Sequence, residues 1–130
     1  MIQKIQKKKI LIIDDDLDLI DSVKSALEEM GRYEVNGENK GRRGVLSARF
    51  FQPDLILLDI MMPDLSGNEV ARALSEDEQT KHIPVAYFTV IVCKEDVESS
   101  GGMIGRRRFI SKPTSIEDLT RSIEEALKAA

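Results

Sequence analysis

The stretch PDLILLDIMMPDLSG, residues 53–67, sets four apolar residues in a row, Leu55 to Leu58, directly before a carboxylate, Asp59. An unbroken apolar run of this length suits a strand covered on both faces, as in a parallel sheet, because a half-exposed strand would alternate. Pro63 and Gly67 make the segment after Asp59 a loop, and residues 68–75 then read as helix. Upstream, in KILIIDDD (residues 9–16), Ile10 to Ile13 run in the same way into Asp14, Asp15 and Asp16.

Between and beyond these strands the period changes. Ile20, Val23, Leu27 and Met30 fall at spacings of three and four, one face of a helix that Gly31 would stop. Tyr33 to Val35 is a weak second strand, and residues 41–51 are a poorer helix with Gly44 inside. Pro84 opens a strand through Val85 to Thr89. Residues 94–100 suit a helix that Gly101 and Gly102 cut short, since each interior glycine costs about 1 kcal/mol relative to alanine. Arg108 to Ser111 is a short strand. Ser115 with Asp118 forms a capping-box pattern, and Ile116, Leu119, Ile123 and Leu127 give a last helix. Five strand–helix pairs in alternation predict a parallel sheet with helices on both faces and right-handed crossovers.

A chain of 130 residues suits one domain, here 1–130, with a core over 9–129 and a basic lead-in over 1–8. The net charge of −4 gives no general pull toward nucleic acid or an anionic membrane. Cys93 is the one cysteine, so no intramolecular disulfide can form, which fits a reducing cytosol. No apolar run approaches the ~18 residues of a membrane span. The expected location is cytoplasmic.

The chemistry lies in how the strands end. The first ends at Asp14-Asp15-Asp16, the third at Asp59, the fourth at Thr89, and the fifth just before Lys112-Pro113. A doubly wound sheet carries all of these to its carboxyl edge, where ligands gather. Carboxylates facing one another raise one another's pKa, and a divalent cation removes that conflict. An all-oxygen donor set favours Mg2+, with Mn2+ also admissible. Asp15 and Asp59 are the expected direct ligands, Asp14 acts through water, and the Met61 backbone carbonyl completes the shell. Asp59 can then attack phosphorus to give an acyl phosphate, with Lys112 and the Thr89 hydroxyl meeting the phosphoryl oxygens.

KILIIDDD, PDLILLDIMMPDLSG, IPVAYFT (residues 83–89) and FISKP (residues 109–113) occur in that order, and from Lys9 onward the chain resembles the receiver domain of two-component response regulators. The resemblance implies a flavodoxin-like, doubly wound, five-stranded parallel α/β sheet of order 2-1-3-4-5 flanked by five helices. It implies Asp59 as phosphoacceptor, Asp14 and Asp15 as the acidic metal pair, Thr89 as switch hydroxyl, Lys112 as phosphate-pairing base and Phe109 as the aromatic switch position. It also implies a cis Lys112–Pro113 peptide. The implied donor is a sensor histidine kinase or a histidine phosphotransfer protein. The implied output partner is met through residues 93–108 and the last helix, with no direct nucleic-acid or membrane contact. Such a module phosphorylates and dephosphorylates itself but is not a turnover enzyme.

Blander readings stand beside these. An Asp-Asp-Asp run is also what a helix N-terminus looks like. Phe109 reads equally as core, His82 as a surface loop residue, and Cys93 as a small buried side chain. Three features depart from the family pattern. Val90 follows Thr89 where a small residue is usual, and should crowd access to Asp59 and slow small phosphodonors. Residues 93–105 run one longer than usual. Arg106, Arg107 and Arg108 form either a solvated turn or a docking patch for an acidic partner. Gly41-Arg42-Arg43-Gly44 lacks the ending of a phosphate-binding loop. Two rival functions remain. One is a pseudo-receiver, an interaction module working without phosphate. The other is a haloacid-dehalogenase-like phosphatase, whose second aspartate would be expected where this chain has Met61.

Overall fold

The computed structural model describes residues 6–90, 102–104 and 107–129. In chain order the elements are β1 (Lys8–Ile13), α1 (Leu17–Glu29), β2 (Tyr33–Glu38), a 3-10 turn (Gly41–Arg43) leading into α2 (Gly44–Phe51), β3 (Leu55–Leu58), α3 (Gly67–Glu76) and β4 (Val85–Thr89). A two-residue β5 (Met103–Ile104), β6 (Arg107–Ser111) and α4 (Ile116–Ala129) follow. The sheet order is β2-β1-β3-β4-β6-β5. Its first five strands are parallel in the expected order, with β6 in the fifth place. β5 adds an antiparallel edge that the sequence did not announce. Four helices occur among the described residues, against five expected; the one assigned to 94–100 lies outside them.

The continuous apolar runs are explained by two cores. Ile10 and Ile12 of β1, with Leu55 and Leu57 of β3, pack against Ile20, Val23 and Leu27 of α1 and Leu119 and Ile123 of α4. Leu11, Ile13, Ile56 and Leu58 point the other way, onto Ala48 of α2 and Val70, Ala71 and Leu74 of α3. From Ile10 to Ile13 and from Leu55 to Leu58 each successive residue therefore meets helices, and no position can be polar until the strand ends.

Helix ends follow local chemistry. Asp16 caps α1 by accepting the Leu19 N–H at 3.2 Å. Gly31 takes φ +80° just past its end, a conformation open to glycine. Ser66 and Glu69 form a reciprocal capping box on α3, which explains why this helix begins at Gly67. The second strand reaches Glu38, past the polar Asn36-Gly37 pair that masked it, because it is an edge strand paired on one side to β1. Its other side is closed at Val35: the Glu28 carboxylate accepts the Val35 N–H at 3.1 Å and the Lys24 ammonium donates to the Val35 carbonyl at 2.7 Å. That N–H and Lys24 hold the Glu28 carboxyl below its usual pKa.

Tyr33, fully buried, donates its hydroxyl to Glu124 of α4 at 2.5 Å. Burial first, then the Glu124 partner, push its pKa up to about 12. A phenol whose folded pKa is raised stabilises the fold fully below the unfolded value of about 10, and that contribution is lost as pH rises toward 12. Thermal melts between those limits should fall more steeply for the wild type than for Tyr33→Phe.

Candidate functional site

The carboxyl ends of β1, β3, β4 and β6 deliver the candidate residues to one edge. Register fixes this: Ile13 pairs with Leu58, Leu58 with Tyr87, and Thr89 with Ser111. The residue after β1, β3 and β6 is thus Asp14, Asp59 and Lys112 respectively, and β4 ends on Thr89 itself. The ladder is extended by Asp59 N–H donating to the Ile13 carbonyl and Lys112 N–H to the Thr89 carbonyl, each at 3.0 Å.

One oxygen from each of Asp14, Asp15 and Asp59 lies within 4.8 Å of the others. Asp14 is 1% exposed and Asp15 is exposed. The Lys112 ammonium forms a short ion pair with Asp14 and lies 3.7 Å from Asp59 Oδ2. It also sits over the Phe88 ring, 5.2 Å from its centroid. Asp59 Oδ1 accepts a long bond from the Met61 N–H at 3.4 Å. Thr89 is fully buried, and its hydroxyl acts to lower the pKa of the Asp59 carboxyl.

Burial raises the pKa of Asp59, and the Asp14 charge adds to it; Lys112, the Met61 N–H and the Thr89 hydroxyl pull the other way without cancelling it. One ammonium among three carboxylates leaves the cluster short of positive charge. A small divalent cation with oxygen preference fits that deficit and the all-oxygen donor set.

The run Asp14–Asp16 divides its labour. Asp16 is the helix cap, while Asp14 and Asp15 lie in one cluster with Asp59. The Lys112–Pro113 peptide is cis. Phe109 is half-buried and stacks on Tyr87, with centroids 5.2 Å apart. Val90 is 63% exposed and lines a cleft of about 400 Å³ with Leu19, Lys112 and Pro113. His82 is exposed. Cys93 and Arg106 lie outside the described residues. Arg107 and Arg108 are in β6 rather than a turn, and Arg107 donates to the Tyr87 hydroxyl at 2.6 Å.

Gly67 was legible only as a loop residue, yet it touches the site. A Cβ there would stand 2.3 Å from the Asp59 carbonyl oxygen and 2.6 Å from Ile60 Cα. The Gly67 N–H also donates to the Ile60 carbonyl at 2.8 Å. The first turn of α3 is thereby pressed onto the backbone that carries Asp59. The sequence signal was only a glycine after a serine.

The family model described as response regulator receiver domain matches residues 10–124. This chain belongs to that family. The receiver is 36% identical over 122 residues to Protein PilH of Pseudomonas aeruginosa, covering 92% of this chain and 97% of PilH. It is 34% identical over 122 residues to the polar-differentiation response regulator DivK of Brucella ovis, covering 92% and 96%. Among solved structures, the CheY-like response regulator receiver domain protein of Methanospirillum hungatei superposes with a TM-score of 0.77 at 30% identity, over 95% of this receiver and 96% of that chain. The flavodoxin-like, CheY-like fold implied by the motifs is the fold found. No helix among the described residues is long and apolar enough to cross a membrane.

Proposed function

We propose that this receiver, as one domain, takes a phosphoryl group from a phosphohistidine of a sensor kinase or phosphotransfer protein onto Asp59. The observation that carries the proposal is the Asp59 carboxylate standing 3.7 Å from the Lys112 ammonium inside a cluster with Asp14 and Asp15. An Asp59 oxygen forms the new O–P bond as the P–N bond of the donor breaks, and the electron pair returns to the imidazole ring. Lys112 and the Thr89 hydroxyl are placed to meet the phosphoryl oxygens. Asp14, Asp15, Asp59 and the Met61 carbonyl would hold Mg2+ or Mn2+, which supplies neutralisation of the charge that gathers during transfer.

The same reading makes Thr89 and Phe109 the switch. Drawing the Thr89 hydroxyl toward phosphate frees space near the Phe109–Tyr87 stack, and a surface including residues 93–108 and α4 reports the change to a partner. Phenylalanine has no hydroxyl to fix an outward position, so its setting depends on packing alone. The module signals rather than turns over substrate, and we place it in the cytoplasm with the donors it needs.

The deciding experiment is intact mass after incubation with acetyl phosphate and Mg2+. A gain of one phosphoryl group is expected, and chelation of the metal should remove it. No gain with acetyl phosphate or with any phosphorylated kinase would favour a pseudo-receiver.

A further inference from the structure

The α2 face has features that phosphoryl transfer does not use. Phe50 is 84% exposed and Leu46 45%, one helical turn apart on the same side of α2. They border a cleft of about 300 Å³ between α2 and β2, lined also by Asn36, Gly37, Arg43 and Phe51. Such a volume is at the small end for ligand pockets and suits one or two inserted side chains.

The charge around it is opposite to that of the chain. Residues 39–53 hold Lys40, Arg42, Arg43 and Arg49 and no carboxylate, in a protein of net charge −4. Arg49 is paired with Asp77, and Arg43 reaches Glu38 only at 3.7 Å while staying exposed. Asp64 is occupied by the N–H groups of Gly41 and Arg42. Among the described residues, neither the Lys40 ammonium nor the Arg42 guanidinium has an ion-pair partner.

We infer that the α2 face is a docking surface for an amphipathic helix of an acidic protein partner, which seats an apolar side chain between Leu46 and Phe50. An apolar strip lined by Arg43, on a segment that also carries Lys40 and Arg42, is complementary to an apolar stripe flanked by carboxylates. A second copy joined face to face would set these cations against each other. An added strand is disfavoured, because Lys24 and Glu28 already occupy the outer edge of β2 at Val35. The inference rests on the fold and this surface, and it holds whether or not Asp59 is phosphorylated.

The test uses the full chain, isotope-labelled and unphosphorylated, titrated with a synthetic helical peptide carrying a leucine stripe flanked by glutamates. The same peptide with lysines for glutamates serves as comparison. The acidic peptide should shift backbone resonances of residues 36–37 and 42–51, more weakly as salt rises, while the lysine peptide gives no saturable shift. Phe50→Ser, with an unchanged thermal midpoint, should weaken binding about tenfold or more, and Arg42→Glu should weaken it again. Equal binding of both peptides, shifts centred on α1 or α4, or no shift at millimolar peptide would overturn the inference. So would Phe50-dependent sedimentation with phosphatidylglycerol vesicles, or Phe50-dependent self-association, in place of peptide binding.

Discussion

Asp59→Asn is expected to abolish phosphoryl incorporation, with the rate from acetyl phosphate falling on the order of a hundredfold or more because the amide is no longer a charged nucleophile. The substitution keeps the shape of the side chain, so a loss of uptake would not be a loss of fold. Stability provides the second readout. Burial and Asp14 disfavour the charged form of Asp59. A carboxyl with a raised folded pKa is costly when ionised near neutral pH, and a neutral amide removes that cost. The thermal midpoint of Asp59→Asn, measured without metal, should therefore lie at or above the wild type. A variant that still gains a phosphoryl group by intact mass would move the acceptor elsewhere, and one that melts well below the wild type would contradict the stated environment.

The second large effect is expected at Gly67. Its φ is not positive, so backbone freedom is not the reason for glycine; close approach is. The alanine Cβ would press on the Asp59 carbonyl oxygen at 2.3 Å and Ile60 Cα at 2.6 Å, both backbone atoms that no rotamer change can move. Overpacking of this kind costs about 2–3 kcal/mol, or roughly 10 °C in thermal midpoint for a domain of this size. The displaced segment is the one that aims Asp59, and misplacement by about 1 Å can cost on the order of a hundredfold in rate. Gly67→Ala should lower both melting temperature and phosphorylation rate. Ser66→Ala, which loses only the capping bonds of α3, should cost about 1 kcal/mol and leave the rate close to normal. Comparing the two by circular dichroism and intact mass separates a damaged helix from a displaced acceptor.

Much of this fold could be read from short segments. Ile10–Ile13 and Leu55–Leu58 announced buried parallel strands because both faces are covered, and the residues that end them are polar because the sheet ends there. Asp14, Asp15, Asp59 and Lys112 could be placed together from topology alone. Other parts had no such signal. The apolar pattern carries β2 only to Val35, because an edge strand tolerates Asn36 and Gly37. β5 has two residues, too few for any period. The capping box of Ser66 and Glu69 spells out the start of α3, but Pro63 and Gly67 drew attention to the loop instead. Close backbone approach at Gly67 and the stack of Phe109 on Tyr87 depend on atoms distant in the chain, and a linear pattern does not carry them.

The run Asp14-Asp15-Asp16 looks like redundancy, three copies of one letter where losing one should be harmless. The fold makes it the opposite. Asp14 is buried against Lys112, Asp15 is the exposed member of the cluster, and Asp16 closes the helix. No neighbour can stand in for another, because each side chain leaves the backbone in its own direction. A deletion of one aspartate leaves a sequence that reads almost the same, yet it shortens the link between β1 and α1 by one residue and leaves two carboxylates for three posts.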